Sequence, residues 1–163
     1  MGVSVRDVAM AAGVSVGTVS NVLNRPDRVS PATVTRVREV IDRLGFVRND
    51  AARQLRAGSS RTIGLIVLDL RNPFFTDVAR GAEDAASELA LSVLVANSDE
   101  NTTREETYLE LFEQQRVAGV LVTPVGENMP RIAKLRDRGI PVVLVDRQSS
   151  DPTFPSVAVD DIV

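Results

Sequence analysis

Apolar residues recur at helical spacing in two short runs near the start of the chain, and a glycine separates the runs. The first run follows Ser4, whose hydroxyl can cap a helix, and Gly13 ends it. The second run follows Ser15, another candidate cap, and its valines and leucine continue to Leu23. Two short helices joined by a tight glycine turn are typical of a helix-turn-helix, and an ordinary helical hairpin is the alternative.

A third helix is marked at both ends. Ser30 can cap it, Pro31 suits its first position and Gly45 ends it. The stripe that we expect this helix to bury is formed by Val34, Val37, Ile41 and Leu44. A further short helix is predicted from Asn49 to Gly58, although composition alone would make this segment a linker.

The pattern changes at Thr62, where a continuous apolar run to Leu68 predicts a strand that is buried on both faces. Helical and strand patterns then alternate along the chain. Helices are predicted over about 73–90, 102–116 and 129–138, and strands over 91–97, 119–123, 140–146 and 156–160. This alternation predicts an α/β fold, a parallel sheet with helices on both faces, and ligands at the carboxyl ends of the strands.

The residue types that are missing exclude several kinds of chemistry. The 163 residues include no cysteine and no histidine, so disulfides, zinc fingers, thiol nucleophiles and histidine bases are excluded. Neither a GxGxxG nor a Walker pattern occurs, which leaves no phosphate-binding loop. We therefore expect a protein that is not an enzyme and that holds no cofactor and no metal.

No segment has the pattern of a membrane span or of a signal peptide. The longest apolar runs, such as 140–145, are far too short to cross a bilayer. The first residues lack the charged and then apolar layout of a secretory signal. The sequence therefore predicts a soluble, cytoplasmic protein that has no membrane partner.

The net charge of −3 hides a strong asymmetry between the two ends of the chain. Residues 1–61 hold ten arginines against five acidic residues, whereas residues 62–163 hold nine basic and seventeen acidic residues. The first part therefore carries +5 and the rest −8. Either the charges cluster by chance, or a small basic module meets a polyanion while a larger acidic module does not.

The outer face of the second predicted helix indicates that the polyanion bound by the basic module is DNA. Its side chains are small, mostly polar and almost uncharged, so the helix can enter the major groove. The residues of this face are Val16, Gly17, Thr18, Ser20 and Asn21. Its hydroxyl groups can reach phosphates, Val16 and Gly17 offer apolar contacts to bases, and Asn21 can pair with adenine. The arginines of this region supply attraction to the DNA backbone.

Five segments of the basic part share their pattern with one known family. They are Val5-Arg6-Asp7-Val8-Ala9, 12–24 (Ala-Gly-Val-Ser-Val-Gly-Thr-Val-Ser-Asn-Val-Leu-Asn), Val29-Ser30-Pro31, Leu44-Gly45-Phe46 and Ala52-Arg53-Gln54-Leu55. Together they resemble the DNA-binding headpiece of the lac repressor (LacI) family, and the likeness continues through the rest of the chain. The resemblance implies a dimeric repressor whose paired headpieces occupy successive major grooves of a palindromic operator in double-stranded DNA.

The resemblance also implies how the DNA contacts are divided. Base contacts are expected from Val16, Gly17 and Asn21. Backbone contacts are expected from Ser4, Arg6, Ser15, Thr18, Ser20, Asn24, Ser30 and Thr33. Minor-groove contacts of a hinge helix, with a leucine wedged into the central base step, are expected from Asn49, Ala52, Arg53 and Leu55. Asn21 replaces a frequent arginine of the family and Arg48 a frequent proline, so we expect different bases and a less rigid hinge entry.

Polar and aromatic residues follow the predicted strands, and they suit a sugar or a similar polar metabolite. A sugar ring can stack on phenylalanine while carboxylate and amide groups bind its hydroxyls. From the residues alone, Asn72 and Pro73 could equally start a helix, with Phe74 or Phe75 in the core. The resemblance favours a ligand cleft and implies effector contacts from Asn72, Phe74, Phe75, Asp146 and Arg147.

Members of this family are about twice as long as this chain, because their effector lies between two lobes. We therefore expect a headpiece at 1–47, a hinge helix and linker at 48–60, and an incomplete, periplasmic-binding-protein-like first lobe at 61–163. The expected function is that of a transcriptional repressor, a homodimer that a small molecule, a carbohydrate, controls in the full-length form. The alternatives are a truncated remnant that does not dimerise and a sugar-binding module without a regulatory role.

Overall fold

The computed structural model describes residues 2–48, 60–126, 128–149 and 151–159. The chain forms two compact units, one within Met1–Arg53 and one within Gln54–Val163. Each unit has its own hydrophobic core, and the two are described in turn. The predicted helix over 49–58 lies outside the described residues.

The N-terminal unit is helical in the part that the structure describes. Its elements are α1 (Val5–Ala12), α2 (Val16–Asn24), the 3₁₀ turn Pro26–Arg28 and α3 (Pro31–Leu44). The predicted caps start all three helices, since the hydroxyls of Ser4, Ser15 and Ser30 each accept a hydrogen bond from a backbone N–H of the first turn. At α1 the cap is reciprocal, because the Asp7 carboxylate accepts from the Ser4 N–H at 2.8 Å.

Apolar side chains from the three helices pack into one small core. Val8 of α1, Val19 of α2 and Val37 of α3 have no exposed surface. Val40, which the predicted stripe on α3 omitted, is also buried. The turn between α1 and α2 depends on Gly13, whose φ of +64° is a conformation that glycine adopts without strain. The unit is therefore a helix-turn-helix followed by a third helix, as the periodicity predicted.

In the C-terminal unit, parallel strands alternate with helices. The strands are β1 (Thr62–Val67), β2 (Ser92–Asn97), β3 (Gly119–Val122), β4 (Val142–Val145) and β5 (Ser156–Val157). The helices are α4 (Pro73–Glu88), α5 (Thr102–Gln114) and α6 (Met129–Asp137). The strand order is β2-β1-β3-β4-β5, and all neighbours pair in parallel. A helical N-terminal region followed by a parallel α/β sheet confirms the predicted fold class.

Strand β1 is covered on both faces of the sheet, which explains its continuous apolar run. Successive residues of a strand point to opposite faces. Leu65 and Val67 belong to the cluster on one face, together with Phe75 of α4. Ile66 belongs to the cluster on the other face, together with residues of α5 and α6 such as Phe112. Both sets of β1 side chains are therefore buried.

Gly64 in β1 allows helix α5 to approach the sheet closely. A β-carbon at this position would lie 2.3 Å from Cδ2 of Phe112, whereas ordinary van der Waals contact begins at 3.4 Å. The Phe112 ring is itself buried and packed into the core. Glycine therefore leaves the space that this ring occupies.

The helices of the C-terminal unit end earlier than the sequence predicted. Helix α4 ends at Glu88, because the chain turns through Ala90 at a φ of +53° and Leu91 donates its N–H to the carbonyl oxygen of Ala86 at 2.9 Å. These shorter ends leave the predicted order of helices and strands unchanged.

Within the described ranges, none of the helices combines the length and the apolar content that crossing a bilayer requires.

Candidate nucleic-acid interface and ligand cleft

Helix α2 exposes the residues that the sequence analysis assigned to base contacts. Val16, Gly17 and Asn21 are all exposed, and 42% of the surface of Val16 is accessible. Val19 and Val22 are buried in the core of the unit. Because Asn21 follows Gly17 by about one helical turn, the two lie on the same face of α2. The structure therefore exposes all three predicted residues and places Gly17 and Asn21 on one face of α2.

Several predicted backbone contacts lie at the beginnings of helices. Ser4, Ser15 and Ser30 are the caps of α1, α2 and α3, and Ser30 Oγ also donates to Thr33 Oγ1 at 2.8 Å. Arg6 is exposed in the first turn of α1. A cap satisfies only part of the free N–H groups of the first turn, and such helix ends favour phosphate. Backbone N–H groups can therefore contribute to DNA contacts at these positions, in addition to side chains.

The remaining polar side chains of α2 already have partners within the unit. The hydroxyls of Thr18 and Ser15 share a hydrogen bond of 2.9 Å. Asn24 Nδ2 donates to the carbonyl oxygen of Ser20 at 2.8 Å, and Asn24 Oδ1 accepts from Nη2 of Arg48. Arg48 stands at the position where the family that the sequence resembles frequently has a proline. Arg48 thus makes a hydrogen bond to the end of α2 that a proline side chain could not make, and the predicted effect on hinge entry stays a prediction.

Asn49, Ala52, Arg53 and Leu55 lie outside the described residues. Their contacts with DNA stay predictions that rest on the sequence.

The predicted effector residues lie near the carboxyl edge, which we define as the edge of the sheet where β1–β4 end. Asn72 begins α4, and its Oδ1 accepts from the Phe74 N–H at 3.0 Å. Asp146 follows β4 directly with a φ of +55°, and both it and Arg147 are exposed. Because β3 lies between β1 and β4 in the sheet, the effector residues form two groups at this edge.

The two phenylalanines after β1 differ in their surroundings. Phe75 is 5% exposed and packs in the core with Leu65 and Val67. Phe74 is half-buried, and its ring meets that of Phe75 edge-on with 5.0 Å between the centroids. Phe75 is therefore a core residue, the alternative that the sequence left open, and little of it is accessible to a ligand. A contact between Phe74 and a ligand stays a prediction.

A cavity of about 500 Å³ opens at the carboxyl edge beside β4. Residues that line it include Pro124, Gly126, Met129, Leu144, Arg147 and Phe154. Its walls are mostly apolar, and the guanidinium of Arg147 donates from Nη2 to the carbonyl oxygen of Pro124 at 3.4 Å. Of the predicted effector residues it includes Arg147 alone, so the Asn72 group lies outside this cavity.

An ion-pair network joins the loops that follow β1 and β2. Arg71 Nε lies 3.0 Å from Asp69 Oδ1, and Arg71 Nη2 lies 3.5 Å from Asp99 Oδ1. Asp99 also pairs with Arg104 at 3.3 Å. The hydrogen bonds from Arg71 lower the pKa of Asp69. The sequence did not predict this network, because the Arg71–Asp99 pair that connects its two halves joins residues far apart in the chain, which the β1–β2 pairing brings together.

A buried carboxylate, that of Glu105, was not among the predicted site residues. Glu105 in the first turn of α5 has no exposed surface. Its Oε2 accepts from the Val125 N–H and its Oε1 from Asn128 Nδ2, both at 2.6 Å. Burial raises the pKa of Glu105, and the two hydrogen bonds oppose that rise. The sequence signal was slight, since Glu105 stands among several acidic residues of an exposed helix.

Comparison with known proteins matches both units to described families. Residues 4–49 match the model of bacterial regulatory proteins of the lacI family. Residues 60–163 match the model of periplasmic binding proteins and the sugar-binding domain of the LacI family. The second match alone covers more than half of the chain.

Individual relatives agree with these matches. The regulator RegA of Clostridium acetobutylicum is 37% identical over 163 residues, which cover 99% of this chain and 49% of RegA. The ribose operon repressor of Bacillus subtilis is 40% identical, over 96% of this chain and 47% of its own length. This chain thus spans about half the length of the curated relatives it matches. Both relatives are named as regulators or repressors.

One solved structure is similar to this chain over nearly its full length. The lac repressor dimer bound to operator and to the anti-inducer ONPF superposes with a TM-score of 0.78 at 25% identity. The match covers 98% of this chain and 49% of that one.

Proposed function

Because this chain belongs to the LacI family, we propose that it acts as a sequence-specific DNA-binding repressor of transcription rather than as an enzyme. In its full-length form it works as a homodimer on a palindromic operator, in the cytoplasm, under the control of a small-molecule effector. The observation that carries the proposal is the exposed, almost uncharged face of α2 on a capped helix-turn-helix. Such a face can enter the major groove without removing a charged side chain from water.

The proposal assigns base contacts to Val16, Gly17 and Asn21. The Asn21 amide offers both a donor and an acceptor, which matches N7 and the amino group of adenine. Val16 is an exposed apolar side chain in the first turn of α2 and suits a thymine methyl group. The lack of a long side chain at Gly17 lets the helix backbone approach the bases.

Backbone contacts come from the helix ends. The proposal assigns them to Ser4, Arg6, Ser15, Thr18, Ser20, Asn24, Ser30 and Thr33. Three of the serines cap helices, so a phosphate there meets the partial positive charge of a helix N-terminus. The charge of +5 over residues 1–61 adds attraction that does not depend on base sequence.

The proposal divides the chain into a headpiece at 1–47, a hinge helix and linker at 48–60, and a first lobe at 61–163. In the hinge, Asn49, Ala52 and Arg53 contact the minor groove, and Leu55 enters the central base step and bends the operator. Support for the hinge comes from the sequence, since these four residues lie outside the described part of the chain.

The effector that we propose is a carbohydrate bound at the carboxyl edge. Ligands of open parallel α/β sheets bind at this edge. Asn72, Phe74, Asp146 and Arg147 place amide, aromatic, carboxylate and guanidinium groups near it, a mixture that suits sugar hydroxyls and a sugar ring. Phe75 lies in the core and packs against the Phe74 ring, which it helps to hold in place. The name of the ribose operon repressor points to the same class of ligand.

Selection of bound sequences from a random double-stranded DNA pool tests the proposal. The parent chain is expected to enrich a consensus, and Asn21→Ala is expected to lose the preference at one base position per half-site, at about 1–3 kcal/mol of discrimination. Arg6→Ala is the matched control, because loss of a phosphate contact weakens binding to all sequences and reduces the salt slope by about one. An unchanged consensus for Asn21→Ala would remove Asn21 from the base contacts, and the absence of any consensus for the parent would contradict the proposed function.

A further inference from the structure

Helix α5 buries a carboxylate that neither DNA binding nor the predicted effector residues use. Glu105 has no exposed surface, although its neighbour Glu106 is exposed. Burial of a carboxylate is unfavourable unless hydrogen bonds satisfy its oxygens. Both of its bonds within the described part of the chain run to the loop between β3 and α6, and neither partner is a cation.

These two hydrogen bonds restrain the part of the loop that lies between the end of β3 and the start of α6. The last ladder bond of β3 is donated by the Thr123 N–H to Ile66, and the first bond of α6 is donated by Ile132 to the carbonyl oxygen of Asn128. Between them, the Val125 N–H and the Asn128 side chain both donate to Glu105. One side chain of α5 therefore restrains both ends of this stretch.

The same loop forms a wall of the cavity at the carboxyl edge. Pro124, Gly126 and Met129 line the cavity, and the carbonyl oxygen of Pro124 accepts from Arg147. We propose that Glu105 is a positioning residue, which fixes the β3–α6 loop from behind and thereby sets the wall of the cavity and the place of Arg147. The inference rests on the proposed function in so far as the cavity serves the effector.

A carboxylate suits this position because two donors meet it from one loop. An apolar side chain of similar size would leave the half-buried Val125 N–H without its acceptor, which is unfavourable. Glutamine can restore both bonds, because its oxygen accepts from Val125 while the Asn128 amide turns to accept from the glutamine nitrogen. If Glu105 positions the loop, Glu105→Leu should release the loop and Glu105→Gln should keep it in place.

Residue-resolved NMR and amide hydrogen exchange on the whole chain test the proposal. In Glu105→Leu we expect exchange of the Val125 amide to accelerate at least about tenfold and the Gly126 and Arg147 resonances to shift, while the Leu65 amide keeps its parental rate. Glu105→Gln should restore the parental exchange rate. Glu106→Leu, the same change at the exposed neighbour, should alter none of these signals. Failure to bind DNA would not affect these signals, so failure of the proposed function is distinguishable from failure of this inference.

Two results would overturn the inference. One is a Val125 amide that exchanges in Glu105→Leu at the parental rate, and the other is equal acceleration throughout the sheet, which marks a general structural role. If Glu105→Leu does not fold, Asn128→Ala decides, because it removes one of the two bonds and leaves the carboxylate in place. It should shift the Val125 and Gly126 resonances and leave those of β1 unchanged, and an unmoved loop would contradict the positioning role.

Discussion

Replacing Gly64 with alanine would place a methyl group where the ring of Phe112 already lies. The new β-carbon would stand 2.3 Å from Cδ2, 2.4 Å from Cε2 and 2.9 Å from Cγ of that ring. Because ordinary contact begins at 3.4 Å, the ring or the strand must move by about 1 Å or more. Phe112 is 2% exposed and packed between sheet and helix, so it has no free space to move into.

Overpacking of a core in this way costs about 1–3 kcal/mol of the free energy of unfolding. For a unit of about 100 residues, a loss of about 2 kcal/mol lowers the midpoint of thermal unfolding by roughly 10 °C. Phe112→Leu should relieve the clash. The double variant should therefore be more stable, by about 1 kcal/mol or more, than the sum of the two single changes predicts.

Tyr108 provides an assay that reports on the C-terminal unit alone. It is the only tyrosine, the chain contains no tryptophan, and Tyr108 packs against the core that contains Phe112. Its near-UV circular dichroism and fluorescence can follow thermal and urea unfolding. Gly81→Ala is the matched control, because a β-carbon there meets nothing within 4 Å and alanine in a helix interior should stabilise by roughly 0.5–1 kcal/mol. A Gly64→Ala midpoint equal to that of the parent, or strictly additive costs in the double variant, would refute the reasoning.

Three further predictions concern a cap, a titration and the hinge. Ser15→Ala removes the acceptor of the Thr18 N–H, so it should cost about 1 kcal/mol and accelerate exchange of the Val19 amide roughly fivefold, and an unchanged rate would show that the cap is dispensable. Since burial raises the pKa of Glu105 above its ordinary value of 4.5, its stabilising contribution is fully present below that pH and is lost as pH rises through the folded-state pKa. The stability of the parent relative to Glu105→Gln should therefore fall with rising pH in urea titrations, and a rise would mean that the shift has the opposite sign. Leu55→Ala should reduce operator bending in a gel-mobility assay and leave non-specific affinity almost unchanged, whereas unchanged bending would exclude the wedge.

The parts of the structure that depend on local sequence could be predicted from it. The three capping serines, the left-handed glycine after α1 and the alternation of apolar strands with helices each depend on neighbouring residues. The face of α2 was predictable for the same reason, since helical periodicity determines which side chains are exposed.

Features that depend on packing between distant segments could not be predicted. The residues alone did not decide whether Phe75 lies in the core or in a cleft, because that depends on which strand face α4 covers. Glu105 appeared to be one more acid on a solvated helix, until the β3–α6 loop proved to supply its two donors. The contact between Gly64 and Phe112 likewise requires knowledge of how closely α5 approaches β1.

Sequence discrimination by α2 is the central claim, and a competition titration measures it directly. The chain is titrated by fluorescence anisotropy against a selected palindromic site and against the same site with its half-site bases scrambled, at one fixed salt concentration. Each mismatched base pair should cost about 1–3 kcal/mol, so the selected site is predicted to bind more than tenfold tighter than the scrambled one. Equal affinity for the two DNAs would contradict the claim and would mean that this chain holds DNA by charge alone.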